Sequence, residues 1–125
     1  MMKDGRRSSE DYLEAILMIR EAKGSCRSID VATHLGFSKP SVSVAVGKLV
    51  DSGCLERLSD GQLVLTEKGL AIAQSTLDKH HMLTELFCAL GVSAETAEHD
   101  ACLIEHHLSE ETYEKLRAFW EKHRN

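Results

Sequence analysis

The sequence predicts a mainly α-helical fold with one small β-hairpin. Apolar residues recur at helical spacing along most of the chain, and the period changes to two only between Cys54 and Thr66. A single proline and few aromatic residues are also typical of a helical fold. At 125 residues, the chain can form one domain or two small subdomains that share a core.

Three helices are predicted before the hairpin: a serine caps the first and the third, the second follows a serine, and each ends at a glycine. The predicted starts are Ser8, Ser28 and Ser38, and the predicted ends are Gly24, Gly36 and Gly53. Pro40 falls in the first turn of the third helix, where its missing N–H leaves no bond unmade.

The segment "CLERLSDGQLVLT" is typical of a hairpin with strands Leu55–Leu58 and Leu63–Leu65 around an Asp60-Gly61 turn. Three further helices are predicted after it. They begin at Thr66, after Ser93 and after Ser109, and the first of them ends at Gly91.

Helix, short helix, turn, helix and hairpin is the order of a winged helix-turn-helix, a DNA-binding unit. In the third helix, every third or fourth residue is apolar and forms the predicted buried stripe: Val42, Ala45, Val46, Leu49 and Val50. The opposite face carries small or basic residues that could approach DNA, with Arg57 in the wing: Lys39, Pro40, Ser41, Ser43, Val44, Gly47 and Lys48. The same order of elements can also occur in a small α+β domain that does not bind DNA.

The net charge of −5 is unusual for a protein that binds nucleic acid, but it is unevenly distributed. Residues 1–76 contain ten Lys or Arg and ten Asp or Glu, whereas residues 77–125 contain five and ten. The acidity therefore belongs to the second part, and the first part can still present a basic face.

The segment "HDACLIEHHLSEE" gathers residues that bind metals. Cys102, Glu105 and His106 are spaced i, i+3 and i+4, so on a helix they share one face and could ligate one divalent ion. Leu103, Ile104 and Leu108 would bury this helix. Other elements must complete the coordination sphere, and the candidates are Asp11, Glu14 and either His80 or His81. Chance placement of the three residues is the alternative.

The remaining cysteines, Cys26, Cys54 and Cys88, show no CxxC spacing and are predicted to be small core residues. No apolar run approaches the roughly 20 residues of a membrane span. The start of the chain lacks the apolar stretch of a signal peptide. We therefore expect a cytoplasmic protein with no membrane partner.

Four segments together are similar to the metal-dependent repressors of the diphtheria-toxin-repressor family: "SSEDYLEAI", "SKPSVSVAVGKLVDSGCLE", "LVLTEKGLAIA" and "IEHHLSEET". The likeness covers nearly the whole chain in the same order. It is closer to the short branch of the family, the manganese transport regulators, which lack a C-terminal SH3-like domain.

This resemblance implies a homodimer that binds double-stranded DNA at a palindromic operator when loaded with Mn(II) or Fe(II), and so represses metal-uptake genes. It implies a winged-helix DNA-binding domain over residues 1–73 and a helical dimerisation and metal-binding domain over residues 74–125. The implied metal ligands are Asp11, Glu14, His80, Cys102, Glu105 and His106. An ion held by both domains would fix the angle between them.

Cys102 departs from the manganese branch, which has a glutamate there, and matches the iron-responsive branch. Asp11 departs in the opposite sense, because the iron branch has a methionine there. Thr84 and Glu98 stand where the iron branch has ancillary ligands, so we expect one principal site. A thiolate favours softer ions, so we expect Fe(II) or Mn(II) in the cell, and Zn(II) or Co(II) to bind well in vitro.

Two other functions fit the same sequence. One is a metal-independent winged-helix regulator, and the other is a small metal-binding protein or metalloenzyme. The chain has no HExxH motif and no evident general base beside an open site. We therefore expect no enzymatic activity, no catalytic residues and no small-molecule substrate.

Overall fold

The computed structural model describes the backbone of residues 5–124 and the side chains of residues 9–124. The elements of this range are α1 (Gly5–Lys23), α2 (Ser28–Leu35), α3 (Lys39–Asp51), β1 (Leu55–Arg57), β2 (Leu63–Leu65), α4 (Glu67–Ala89), α5 (Ala94–Ile104) and α6 (Glu110–His123). The predicted fold class, mainly α-helical with one hairpin, is confirmed. Among the described residues, no helix combines the length and the hydropathy that a membrane span requires.

The chain divides into two compact units, Met1–Ser75 and Thr76–Asn125, and the division falls within α4. In the first unit, α1, α2, α3 and the hairpin pack on one another. Its interior is apolar, and the largest of its fully buried side chains are Leu13, Ile16, Val31, Val42, Val46, Leu55 and Leu63.

The turn between α2 and α3 has the predicted glycine at the end of α2 and the predicted serine cap of α3. Gly36 ends α2 with φ 73°, in the left-handed region that a glycine adopts without strain. Ser38 caps α3, and its side chain accepts a hydrogen bond from the Ser41 N–H at 3.2 Å. Val42, Val46 and Leu49 of α3 are buried as predicted. The helix-turn-helix therefore places one face of α3 in the core and leaves the other exposed.

The hairpin, or wing, pairs Leu55 with Leu65 and Arg57 with Leu63 in antiparallel register. The end of β2 next to the turn is bonded to the loop before α2, because the Leu63 N–H donates to the Cys26 carbonyl at 2.7 Å. Its first strand ends at Arg57 rather than at Leu58 as predicted. The Leu58 N–H nevertheless donates to the Gln62 carbonyl at 2.8 Å across the turn.

A glycine near the start of α4 allows that helix to meet the wing closely. A Cβ on Gly69 would lie 2.1 Å from the Cys54 carbonyl oxygen, so only glycine fits. The Thr66 hydroxyl accepts from the Gly69 N–H at 3.1 Å and donates to the Gly53 carbonyl at 2.6 Å. Thr66 therefore precedes the helix as a cap, and α4 itself begins at Glu67.

The second unit has a smaller core, formed by Met82, Leu83, Ala101 and Tyr113. Partly buried apolar side chains surround it: Leu86, Phe87, Leu108, Leu116 and Trp120. Several others are exposed in the single chain, with Leu90 at 73% and Phe119 at 59%. This unit thus leaves much apolar surface uncovered.

Three sequence predictions about these elements were wrong. Helix α1 begins at Gly5, so Ser8 lies inside it and is not its cap. Leu103 and Ile104 do not bury α5, because both are exposed and the helix is buried through Ala97 and Ala101 instead. Helix α5 ends at Ile104, before the second half of the metal-binding motif.

Candidate metal centre and DNA-binding surface

The structure brings together three of the predicted metal ligands in the second unit. His80 Nδ1 on α4 lies 2.8 Å from Glu105 Oε1. His106 Nε2 lies 3.4 Å from the other carboxylate oxygen, Glu105 Oε2. Glu105 therefore sits between two imidazoles. The side chains of Glu105 and His106 are fully buried, and that of His80 is 18% exposed.

The end of α5 explains how two adjacent residues can both face inward. Glu105 follows the last helical residue and keeps right-handed geometry, with its N–H donating to the Ala101 carbonyl at 2.9 Å. The His107 N–H then donates to the Ile104 carbonyl in a turn that leads to the Ser109 cap of α6. Within this turn, Glu105 and His106 are buried and His107 is exposed. Of the three residues predicted to share one helical face, Cys102 therefore lies on α5, and Glu105 and His106 lie in the turn after it.

The chemistry of this cluster fits a divalent cation. Glu105 Oε2 is buried and accepts no hydrogen bond from any described residue. A buried carboxylate without its full set of partners is destabilising unless a positive charge compensates it. Imidazole nitrogens and a carboxylate oxygen are ligands that Mn(II), Fe(II), Co(II) and Zn(II) all accept. The residues present therefore fit the predicted metal.

The other predicted ligands occupy the expected elements. Cys102 is half-buried on α5, one turn before Glu105. Asp11 and Glu14 are half-buried one turn apart on α1, in the first unit. His81, the alternative to His80, is exposed. The six-residue ligand set as a whole stays a prediction.

The remaining cysteines follow the prediction in two cases of three. Cys26 and Cys54 are buried, and burial, reinforced by the charge of Asp30, raises the pKa of the Cys26 thiol to about 11. That thiol is protonated at neutral pH and is a core group. Cys88 is exposed, so its prediction as a core residue was wrong.

The predicted DNA-contacting residues of α3 form an accessible strip. Lys39, Pro40, Ser41, Ser43, Val44 and Lys48 are exposed, and so is Arg57 of β1. Val44 is 60% exposed near the middle of the helix. A Cβ on Gly47 would meet no atom within 4 Å, so the packing of the chain does not require glycine there.

Two depressions border the exposed strip of α3. One, of about 370 Å³, is lined by Ser28, Ile29, Lys39, Ser43 and Arg57. The other, of about 850 Å³, is lined by residues of α1 and α3 and by the residue after α3: Ser9, Tyr12, Pro40, Ser41, Val44, Ala45, Lys48, Leu49 and Ser52. Each depression combines serine hydroxyls with at least one cation, the groups that contact DNA phosphates.

Sequence reasoning missed the residues outside α3 that line these depressions, notably Ser9, Ser28 and Ile29. The sequence alone gives no signal for them. Ile29, for example, fits the apolar pattern of α2, and only the packing of α2 against α3 shows that it is 47% exposed.

Comparison with known protein families covers nearly the whole chain. Residues 6–63 match the family described as iron dependent repressor, N-terminal DNA binding domain. Residues 66–125 match its metal binding and dimerisation domain. The chain is also 36% identical over 114 residues to the transcriptional regulator MntR of Escherichia coli, covering 91% of this chain and 74% of that protein. The chain belongs to the iron-dependent repressor family.

Members of this family are metal-dependent transcriptional regulators, so the prediction that the chain is not an enzyme is confirmed. A second relative, an HTH-type transcriptional regulator of Methanocaldococcus jannaschii, is 36% identical over 118 residues and is matched over 94% of its length. The family's two domains also bear out the predictions of DNA as a partner and of a homodimer.

Solved structures agree with this assignment. The manganese regulator SloR superposes with a TM-score of 0.78 at 28% identity, over 90% of this chain and 53% of that one. IdeR of T. acidophilum superposes with a TM-score of 0.80 at 24% identity, over 97% and 55%, and supports the winged-helix fold. This chain therefore spans about half the length of these two structures.

Proposed function

We propose that this protein is a metal-responsive transcriptional repressor that binds a palindromic operator as a homodimer when loaded with Mn(II) or Fe(II). The observation that carries the proposal is the buried Glu105 carboxylate between His80 and His106, with one oxygen that accepts no hydrogen bond from the described residues. A bound cation would give this oxygen a partner. The DNA-binding face of α3 belongs to the same polypeptide.

The proposed ligand set is Asp11, Glu14, His80, Cys102, Glu105 and His106. It draws on both proposed domains, residues 1–73 for DNA binding and residues 74–125 for dimerisation and metal binding. When bound, the ion supplies positive charge that neutralises the carboxylates. Because its ligands would come from both domains, the bound ion would restrict the motion of one domain relative to the other. Among the arrangements of the two domains that the metal-free protein samples, this restriction would favour the one that binds DNA. Operator DNA should reciprocally tighten metal binding.

Cys102 bears on the identity of the metal. A thiol ligand in a set of carboxylates and imidazoles shifts preference from Mn(II) toward the softer Fe(II), Co(II) and Zn(II). We propose Fe(II) or Mn(II) as the ion in the cell, with Zn(II) and Co(II) binding in vitro. In the Co(II) form, a thiolate ligand gives a charge-transfer band in the near ultraviolet. Cys102→Ser should remove this band, and Cys88→Ser, at an exposed cysteine, should keep it.

The two depressions beside α3 support a specific mode of DNA binding. The exposed strip around Val44 would enter the major groove, and Lys39 and Arg57 on one side and Lys48 on the other would contact the flanking phosphates. The strip has no Arg, Asn or Gln, so readout of bases rests on van der Waals contacts and on DNA shape. The recognition helices of a dimer would lie about 34–36 Å apart to reach successive grooves. We also propose a cytoplasmic location, where such a regulator meets the chromosome.

The decisive experiment is a fluorescence-anisotropy titration with DNA from upstream of the protein's own gene. It compares Mn(II), Fe(II), Zn(II) and a chelator. We expect tight binding with at least one metal and loss of binding with the chelator. Binding that is insensitive to the chelator would identify a metal-independent regulator, and no binding under any condition would refute DNA recognition at this site.

Adjacent histidines provide matched controls for the metal-binding part of the proposal. His106→Gln and His80→Gln should abolish metal-dependent DNA binding and reduce metal affinity measured by calorimetry. His107→Gln and His81→Gln remove exposed imidazoles one residue away and should change neither. If His107→Gln had the same effect as His106→Gln, or His81→Gln the same as His80→Gln, the assignment of the buried histidines as ligands would be contradicted.

A further inference from the structure

Arg27 links the start of α2 to the tip of the wing. Its guanidinium Nη1 donates a hydrogen bond to the backbone carbonyl of Asp60 in the turn. The same nitrogen lies 3.1 Å from the position that a Cβ on Gly61 would occupy, and Gly61 has φ 89°. The turn therefore favours glycine at this position for its backbone conformation, and the guanidinium lies close to it.

The backbone of Arg27 is itself fixed by the cap of α2. Its N–H donates to Asp30 Oδ2 at 2.9 Å, and its carbonyl accepts from the Asp30 and Val31 N–H groups at 2.9 and 3.2 Å. Lys23 Nζ lies 2.8 Å from the other oxygen of Asp30. These bonds hold the pKa of Asp30 below its usual range, chiefly through the hydrogen bond from Lys23. The arginine side chain thus extends from a rigid point.

Close to its turn, the wing is also bonded to other parts of the first unit. Leu63, the residue of β2 next to the turn, donates its N–H to the Cys26 carbonyl at 2.7 Å, and its carbonyl accepts from Arg20 Nη1 at 3.1 Å. At the tip, the Gly61 N–H bonds the Leu58 carbonyl at 2.9 Å within the wing itself. The Arg27 guanidinium adds a bond to the tip from outside the wing.

We propose that Arg27 is a positioning residue that holds the wing tip against α2, and thereby sets the place of the wing beside the DNA-contacting face of α3. An exposed arginine near DNA would ordinarily be assigned as a phosphate ligand. Here the guanidinium is already bonded to a carbonyl of the protein, next to the acidic side chain of Asp60. The proposal rests on the proposed function, because its effect on DNA binding presupposes an operator.

The first test needs no DNA. Amide hydrogen exchange of Leu58 and Gly61 is measured by NMR in the full chain carrying Arg27→Met, Arg27→Lys or Lys115→Met. Loss of one hydrogen bond should speed exchange at the tip by roughly three- to tenfold in Arg27→Met. Arg27→Lys keeps a cationic donor and should restore most of the protection. Lys115→Met removes an equal charge at an exposed position of α6, outside α2 and the wing, and should leave the tip unchanged.

The second test measures operator affinity of the metal-loaded protein against salt concentration. Arg27→Met should weaken binding by roughly three- to tenfold, in line with the loss of one hydrogen bond. The slope of log affinity against log salt should stay that of the wild type. A phosphate ligand would instead lower the slope by about 0.9. The lysine variant should bind nearly as tightly as the wild type.

Two results would overturn the proposal: unchanged exchange at the wing tip in Arg27→Met, or a salt slope lowered by about one phosphate contact. If the wild-type protein binds no operator with any metal, the proposed function fails. Exchange at Leu58 and Gly61 still decides whether Arg27 holds the wing.

Discussion

The two units of the chain differ in what their interiors contain. In the first unit, the largest fully buried side chains are aliphatic. The buried polar and charged residues among those described, Thr76, Glu105 and His106, all fall in the second unit, which has the smaller core. The first unit is therefore stabilised by its own packing, whereas the second contains a buried carboxylate charge: one oxygen of Glu105 contacts His80, and the other accepts no hydrogen bond from the described residues. The proposed metal site therefore lies in the unit whose interior contains a buried charged group.

The largest expected effect comes from removing that charge with little change of shape. Glu105→Gln should reduce Mn(II) affinity by about 3 kcal/mol, more than 100-fold, because it deletes one partner of a buried ion pair. The melting temperature of the metal-free protein should rise, since no buried carboxylate remains uncompensated, and its increase on adding metal should disappear. Calorimetry measures both, with the exposed Glu98→Gln as control. A retained metal-induced shift would contradict the comparison.

The next effect tests whether the first unit depends only on its packing. Gly69→Ala places a methyl group 2.1 Å from the Cys54 carbonyl oxygen, so α4 or the wing must move. We expect the free energy of unfolding to fall by about 1–3 kcal/mol, as for other overpacked sites, in urea denaturation. The loss should be equal with and without metal. A loss that metal reverses would show that the first unit also depends on the ion.

Gly47→Ala is the matched substitution on the DNA-contacting face. Its methyl group would meet no atom of the chain within 4 Å, and alanine favours a helix over glycine by about 1 kcal/mol. We therefore expect a more stable protein that binds operator DNA less tightly, because the added methyl group separates α3 from the groove. Thermal denaturation and anisotropy report the two changes. Unchanged affinity would show that the helix does not approach DNA at Gly47.

The smallest effect concerns pH. Hydrogen bonds from Lys23 and from the Arg27 N–H lower the pKa of Asp30 in the folded protein. Its ionised form then stabilises the fold above the unfolded pKa of about 3.9, and this contribution disappears as the pH falls through the lower folded value. Asp30→Asn should cost a few tenths of a kcal/mol at pH 7 and progressively less below pH 4. A difference independent of pH would show that the charge does not matter.

Much of the fold followed from the sequence, because local signals agreed with the final packing. The caps Ser38, Ser93 and Ser109 each accept a backbone N–H as predicted. The start of α1 did not follow, because Ser8 is a good capping residue inside a helix that continues through it. Exposure of Leu103 and Ile104 also escaped prediction, since an apolar pattern identifies a buried face without saying what buries it.

The sequence predicted that Glu105 and His106 face the same way, but not the turn that positions them. Spacing placed Glu105 and His106 on one helical face, whereas the helix ends between Ile104 and Glu105 and a turn buries both. Spacing also left His80 and His81 open, and the contact of His80 with Glu105 favours the former. Helical periodicity predicts side-chain positions only within a helix, so it does not predict those in the turn that follows.

The exposed apolar side chains of the second unit would make the stability of the protein depend on its concentration if two copies bury them. Leu90 and Phe119 face solvent in a single copy, within the domain that the family uses for dimerisation. Burial of these side chains between two copies would, by mass action, make the melting temperature depend on protein concentration. A dilute sample should unfold at a lower temperature than a concentrated one. The amount of the regulator in the cell would then help to set its response, alongside the supply of metal.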